Sequence, residues 1–228
     1  MSVTTMSTPS GETRPLALSL LRTEGGCDQF LPRFLFLTAA FVIHSWTLMG
    51  RLADQIVRQL EPLIGFQLTL ARRAADLRNF QFGQVREVEG GTVGEFALHI
   101  QCPWRIEGPL GIVTGHCDVW EPVQPDDRVD PATWAYQHSE NLQDARVHAL
   151  LGGHDSNTRT AVNERDQLVV EAVHADDCGG AALRLSGGYR LVLFPAGTRS
   201  EDWRIFRPNG DQPHFVIAGG KGESPEVL

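Results

Sequence analysis

Phe96-Ala97-Leu98-His99-Ile100-Gln101-Cys102 is the stretch that decides the fold. Phe96, Leu98, Ile100 and Cys102 occupy every second position, with His99 and Gln101 on the other side, which is the period of a strand with one buried face. Pro103 has no N–H to give to a ladder and ends the segment. The same period recurs on both sides. Phe66, Leu68 and Leu70 alternate with polar residues, Phe80 and Phe82 suggest a second short strand, 111–114 another, and 168–173 is a Val-rich run. Leu183 and Leu185 lead into Gly187-Gly188 and on to Leu191 and Leu193. This reads as a hairpin closed by a tight primed turn, with the four leucines on its buried face. Trp203, Ile205 and Phe206 lead through Asn209-Gly210 to Phe215 and Ile217, a second hairpin with a longer loop.

Upstream the period changes. Leu48, Leu52, Ile56 and Leu60 recur every four residues with Met49, Ala53 and Val57 beside them, while Arg51, Asp54, Gln55, Arg58 and Gln59 fill the opposite face. That is an amphipathic helix, stopped by Pro62 and Gly65. The expected fold class is therefore α+β: an N-terminal amphipathic helix packed on a mainly antiparallel β-sheet. Residues 1–48 read as a separate leader, rich in Ser, Thr, Gly and Pro at its start and carrying an apolar run at 34–43. A run of ten residues, broken only by Thr38, falls short of the roughly 20 needed to span a bilayer. An anchor, an export signal and an over-called start codon all remain open for it. The single domain is expected over 49–228, interrupted by an acidic loop at 124–130 and a weakly patterned excursion at 131–165 with one short helix.

Composition narrows the function classes. The 228 residues hold 42% hydrophobic residues, enough for a core, and 23 Gly with 13 Pro favour a turn-rich chain over a helical bundle. A formal net charge of -8 argues against a general electrostatic grip on nucleic acid. Lys221 is the only lysine among 20 basic residues, an Arg bias that fits a GC-rich bacterial genome. The four cysteines, Cys27, Cys102, Cys117 and Cys178, have no C-x-x-C spacing, so reduced thiols in a cytoplasmic protein are expected rather than a disulfide framework or a zinc knuckle.

No nucleophile elbow, phosphate-binding glycine loop or H-E-x-x-H stands in the sequence, and neither a cofactor nor a metal is expected. The nearest approach to a catalytic set is His116, Cys117 and Asp118, joined by His174 with Asp176, Asp177 and Cys178, and by His154 with Asp155. Loops at strand ends can converge, and a His–Cys pair can make a nucleophile and its base. A small hydrolase or metal-dependent enzyme built on these residues is the alternative reading. Adjacent residues on a strand point to opposite faces, which weighs against it. Candidate binding residues are Trp104, Arg105, Trp120, Trp203 and Arg204, since Trp and Arg dominate interface anchors. Asp126 and Asp127 of the acidic loop would steer a basic partner by long-range attraction.

Three stretches, Gly94-Glu-Phe-Ala-Leu-His-Ile-Gln-Cys-Pro-Trp-Arg-Ile106, Gly187-Gly-Tyr-Arg-Leu-Val-Leu-Phe194 and Glu201-Asp-Trp-Arg-Ile-Phe206, resemble an uncharacterised group of small bacterial proteins. The last part is also similar to the sheet ending of immunity-type proteins from toxin systems. The resemblance covers about residues 63–218, and its motifs are structural, so it carries over no active-site residue. It implies a non-enzymatic protein that neutralises a basic partner by covering it. A membrane-tethered accessory protein is a third class, resting on the run at 34–43.

Overall fold

The computed structural model describes residues 51–124 and 141–223, all within the second of the two units of the chain, Trp46–Leu228. The leader at 1–48, its apolar run, the start of the expected helix at Leu48, and Asp126 and Asp127 lie outside the described residues. Alternating apolar positions set the architecture. The strands are β1 (Leu68–Ala74), β2 (Leu77–Phe82), β3 (Arg86–Val88), β4 (Gly91–Val93), β5 (Phe96–Ile100), β6 (Trp104–Gly108), β7 (Gly111–Gly115), β8 (Gly152–Asp155), β9 (Thr160–Asn163), β10 (Val170–Ala175), β11 (Ala181–Leu185), β12 (Tyr189–Leu193), β13 (Glu201–Phe206), β14 (Phe215–Ala218) and β15 (Lys221–Glu223). Two α-helices accompany them, α1 (Leu52–Leu60) and α2 (Leu142–Leu151).

Among the described residues every strand pair is antiparallel. A larger sheet of eight strands runs β15-β14-β13-β5-β2-β1-β9-β8, a smaller one of five runs β10-β11-β12-β6-β7, and β3–β4 is a separate hairpin. The inner faces of both sheets feed one apolar core. Phe80, Leu98, Ile100, Trp203 and Ile217 come from the larger sheet, and Trp104, Ile106, Leu183, Leu185, Leu191 and Leu193 from the smaller. Phe80 meets Trp104 edge-on across the gap at 5.2 Å between ring centroids, a favoured aromatic geometry. The four leucines of the β11–β12 hairpin share the buried face, as their spacing predicts. Its connection is a three-residue turn, Ser186–Gly188, in which Gly187 and Gly188 both hold φ near +78°, so glycine serves at both positions.

The helices close the sides of this two-layer arrangement. Strands β10 and β15 are edges of the two sheets, and α1 packs on both, burying Ala53, Ile56 and Leu60. At the opposite edges, α2 packs on β7, β8 and β9. Each helix thereby covers strand edges that would otherwise offer unpaired backbone groups. Asn141 caps α2, its side chain accepting from the Asp144 N–H at 2.9 Å. The excursion at 131–165 thus ends in a helix and the β8–β9 hairpin, elements that weak patterning left indistinct.

Two expected anchors belong to the core instead. Trp203 is 0% exposed and donates its Nε1–H to the Gly179 carbonyl at 2.8 Å. Trp104 is buried against Phe80. Both alternate in phase with apolar neighbours, and each indole covers more area in the core than at a rim. Among the described residues no helix is long and apolar enough to cross a membrane.

Candidate functional site

The three His-containing groups picked from the sequence do not share one place. His116, Cys117 and Asp118 lie in the 3-10 turn His116–Trp120 that follows β7. Asp118 acts there as a backbone anchor: it accepts from Thr114 Oγ1 at 2.8 Å, from the Gly115 N–H at 3.2 Å and from Arg146 Nη1 at 3.4 Å. His174 stands on β10, the opposite edge of the same sheet, four strand spacings or roughly 19 Å away. His154 is on β8 of the other sheet. The nucleophile–base set is therefore not assembled from these residues. Among the described residues no group of three or more His, Cys, Asp or Glu is placed to hold a metal ion. Cys102, Cys117 and Cys178 are free thiols, and burial pushes the Cys102 thiol up to about 12, which keeps it protonated.

The outer face of the smaller sheet does gather two of the predicted residues. Cross-strand register places His174, Ala182, Val192, Arg105 and Gly115 in one row across all five strands. Arg184, Arg190, Glu107 and Ile112 form the neighbouring row. Ala182, Val192 and Gly115 leave this surface shallow. Phe194, one residue beyond β12, lies over the Arg105 guanidinium at 4.7 Å. Glu107 ties the charges together, accepting from Arg105 Nε at 2.7 Å and Arg190 Nε at 2.8 Å. Exposed apolar side chains stand at both ends of this sheet: Phe194, beside Pro103, is 38% exposed, while Ile112 at 63% and the fully exposed Leu110 lie toward the β6–β7 tip. Trp120, in the turn beyond β7, is 48% exposed. Arg204 is elsewhere, on the outer face of the larger sheet, where Glu201 holds its guanidinium and His214 lies at 3.4 Å.

A second feature went unseen in the sequence, an open cavity of about 470 Å³ lined by Arg73, Ala75, Asp144, His148, His154, Ser156 and Arg159. Its floor is an ion network. Arg78, 1% exposed on the inner face of β2, donates to Asp144 Oδ1 at 2.6 Å and to Gln143 Oε1, with its guanidinium 5.8 Å from the Trp104 ring. Arg73 donates to Asp144 Oδ2 through Nε at 3.0 Å and Nη2 at 2.8 Å. Burial alone would raise the Asp144 carboxyl, but the hydrogen bonds from Arg73 and the charge of Arg78 outweigh it and hold the pKa at about 2. Burial lowers Arg78 to about 10, well above neutral pH, so it stays charged. One turn along α2 from Asp144, His148 stacks on His154 at 4.0 Å between centroids. Its pKa is depressed, first by burial and then by His154.

These residues come from β1, β2, α2 and the β8–β9 tip, and of those lining the cavity only His154 was singled out from the sequence. No protein-family model, no curated protein and no solved structure matches the chain.

Proposed function

We propose that the domain is a non-enzymatic protein-binding module of the immunity type, which covers a basic partner with the outer face of its smaller sheet. One observation carries this reading: Phe194, 38% exposed and stacked on Arg105, borders a shallow hollow with His174, Ala182 and Val192, on a face that no helix among the described residues covers. Exposed apolar surface rimmed by polar side chains marks interaction sites. The platform spans roughly 19 by 17 Å, which makes it the centre of an interface whose usual size is about 800 Å² per partner. Arg105, stacked on Phe194 and fixed by Glu107, is the side chain best prepared to act as an anchor. The net charge of -8 favours encounter with a basic partner. On this reading the folded domain starts with the amphipathic helix, lies in the cytoplasm and has the leader outside it.

A photo-crosslinking side chain placed at 112 or 194 in the full chain, expressed in its own host, tests the proposal. One discrete basic protein should be captured from both positions and not from 87, on the exposed β3 hairpin. Equal capture from 87, or no discrete product from 112 and 194, would sink the idea. Phe194→Asp with Ile112→Asp should abolish capture from a site at 190 while leaving the melting temperature unchanged.

A further inference from the structure

The cavity between β1, α2 and the β8–β9 tip has more positive charge than its own acid can balance. Asp144 is taken up entirely by Arg73, Arg78 and Asn141, whose Nδ2 donates to it at 2.8 Å. Arg73 gives Nε and Nη2 to Asp144 and Nη1 to the Ala75 carbonyl at 2.8 Å, which leaves two of a guanidinium's five N–H groups. Arg159 has no hydrogen bond or ion pair among the described residues and lines the same space. The stacked imidazoles of His148 and His154 form one wall.

The backbone points to the same place. Four non-glycine described residues have left-handed φ, and two of them, Ala75 at 56° and Arg159 at 51°, line this cavity. A side chain other than Gly or Asn at such a position costs about 1 kcal/mol or more, and strain of this kind gathers at binding sites. Glycine would make the β8–β9 tip at lower cost. An arginine there gives up stability and gains a guanidinium that faces the cavity.

We propose that this cavity binds a small organic phosphomonoester, with Arg159 and Arg73 on its phosphate oxygens. The two guanidiniums arrive from separate elements, β1 and the β8–β9 tip, which suits a tetrahedral oxyanion, whereas one guanidinium fork satisfies a carboxylate. A volume of about 470 Å³ is in the range of small organic ligands and exceeds what a lone oxyanion fills. The imidazole wall offers a flat surface to the organic part. The site is independent of the sheet face proposed for protein binding.

Calorimetric titration of the full chain with phenyl phosphate, inorganic phosphate and benzoate tests the assignment. Phenyl phosphate should saturate at millimolar concentration or below, with the other two weaker. Arg159→Gly should weaken phenyl phosphate about tenfold or more, the loss of one charge-assisted contact, without lowering the melting temperature. Asn209→Gly, at a left-handed position outside the cavity, changes the same kind of backbone position and should leave binding intact. Saturation should also move the ring resonances of His148 toward the protonated form, because a dianion offsets the repulsion it meets from His154 and Arg78 beyond what Asp144 already does. Absence of saturation, equal binding by Arg159→Gly, or benzoate binding as tightly as phenyl phosphate would each overturn the proposal. Inorganic phosphate binding as tightly would reassign the site to the free ion and reject the monoester.

Discussion

Replacing Asp144 by Asn keeps the shape of the side chain and removes the charge between two guanidiniums. The wild-type carboxyl titrates at about 2 against an ordinary 3.8, a difference of about 2.5 kcal/mol in favour of the folded state. A second route to the magnitude starts from Arg78, which is 1% exposed and loses its counter-charge. Stranding one member of a buried pair costs about 3–5 kcal/mol. Gln143 still accepts from Arg78, which draws the cost toward the lower figure. We expect Asp144→Asn to lose about 2–4 kcal/mol near neutral pH, read from urea unfolding followed by tryptophan fluorescence. The pH dependence has a fixed sign. The folded pKa is depressed, so the contribution is complete above about pH 5 and disappears as pH falls through roughly 4 to 2. Wild type and variant should therefore converge in that window. Adding Arg78→Met should recover part of the loss, because removing both charges leaves neither stranded. A loss under about 1 kcal/mol near neutral pH, or a gap that persists at low pH, would refute the claim that this network carries its charge at a net gain.

The core and one tight approach give further expectations. Leu191 is 0% exposed on the inner face of β12, so Leu191→Ala should cost about 2–5 kcal/mol in chemical denaturation. Gly94 has room for no side chain: a Cβ there would sit 2.8 Å from the Phe82 carbonyl oxygen and 3.2 Å from its nitrogen. Gly94→Ala should cost about 1–3 kcal/mol through forced backbone displacement, and hydrogen exchange at Phe82 should rise with it.

The strands of the two hairpins were legible because each has one dry face and one wetter face. Leu183, Leu185, Leu191 and Leu193 all turn to the core, and Trp203, Ile205 and Ile217 do so on the other sheet. Strand β6 was harder, because Trp104 and Arg105 side by side look like a surface anchor until Ile106 is counted in phase with Trp104. Helix α2 was hardest. It closes the side of a sandwich and meets β7, β8, β9 and the 3-10 turn at once, so its buried residues are Gln143, Val147, Leu150 and Leu151 and no clean apolar stripe results. Gln143 is buried because its amide serves the Gly115 and His116 carbonyls at 3.0 and 3.2 Å, a need that arises only in the folded state.

The cavity was illegible for a different reason, and Arg78 shows why. Counting back by two from Phe82 gives Phe80 and then Arg78, so the arginine stands in phase with the core positions of its strand. A charge in phase with a core face has to be matched by a partner, since an isolated buried ion costs several kcal/mol. The period thus predicts that a counter-charge exists. It does not say where, because Asp144 lies 66 positions away, on a helix whose place at the side of the sandwich depends on both sheets having formed. Once Asp144 is held there, the next turn of α2 brings His148 beside His154, and the tip that follows β8 brings Arg159 into the same space. The buried arginine is the one trace of this site that the strand pattern contains. The rest of the cavity follows from how that charge is answered.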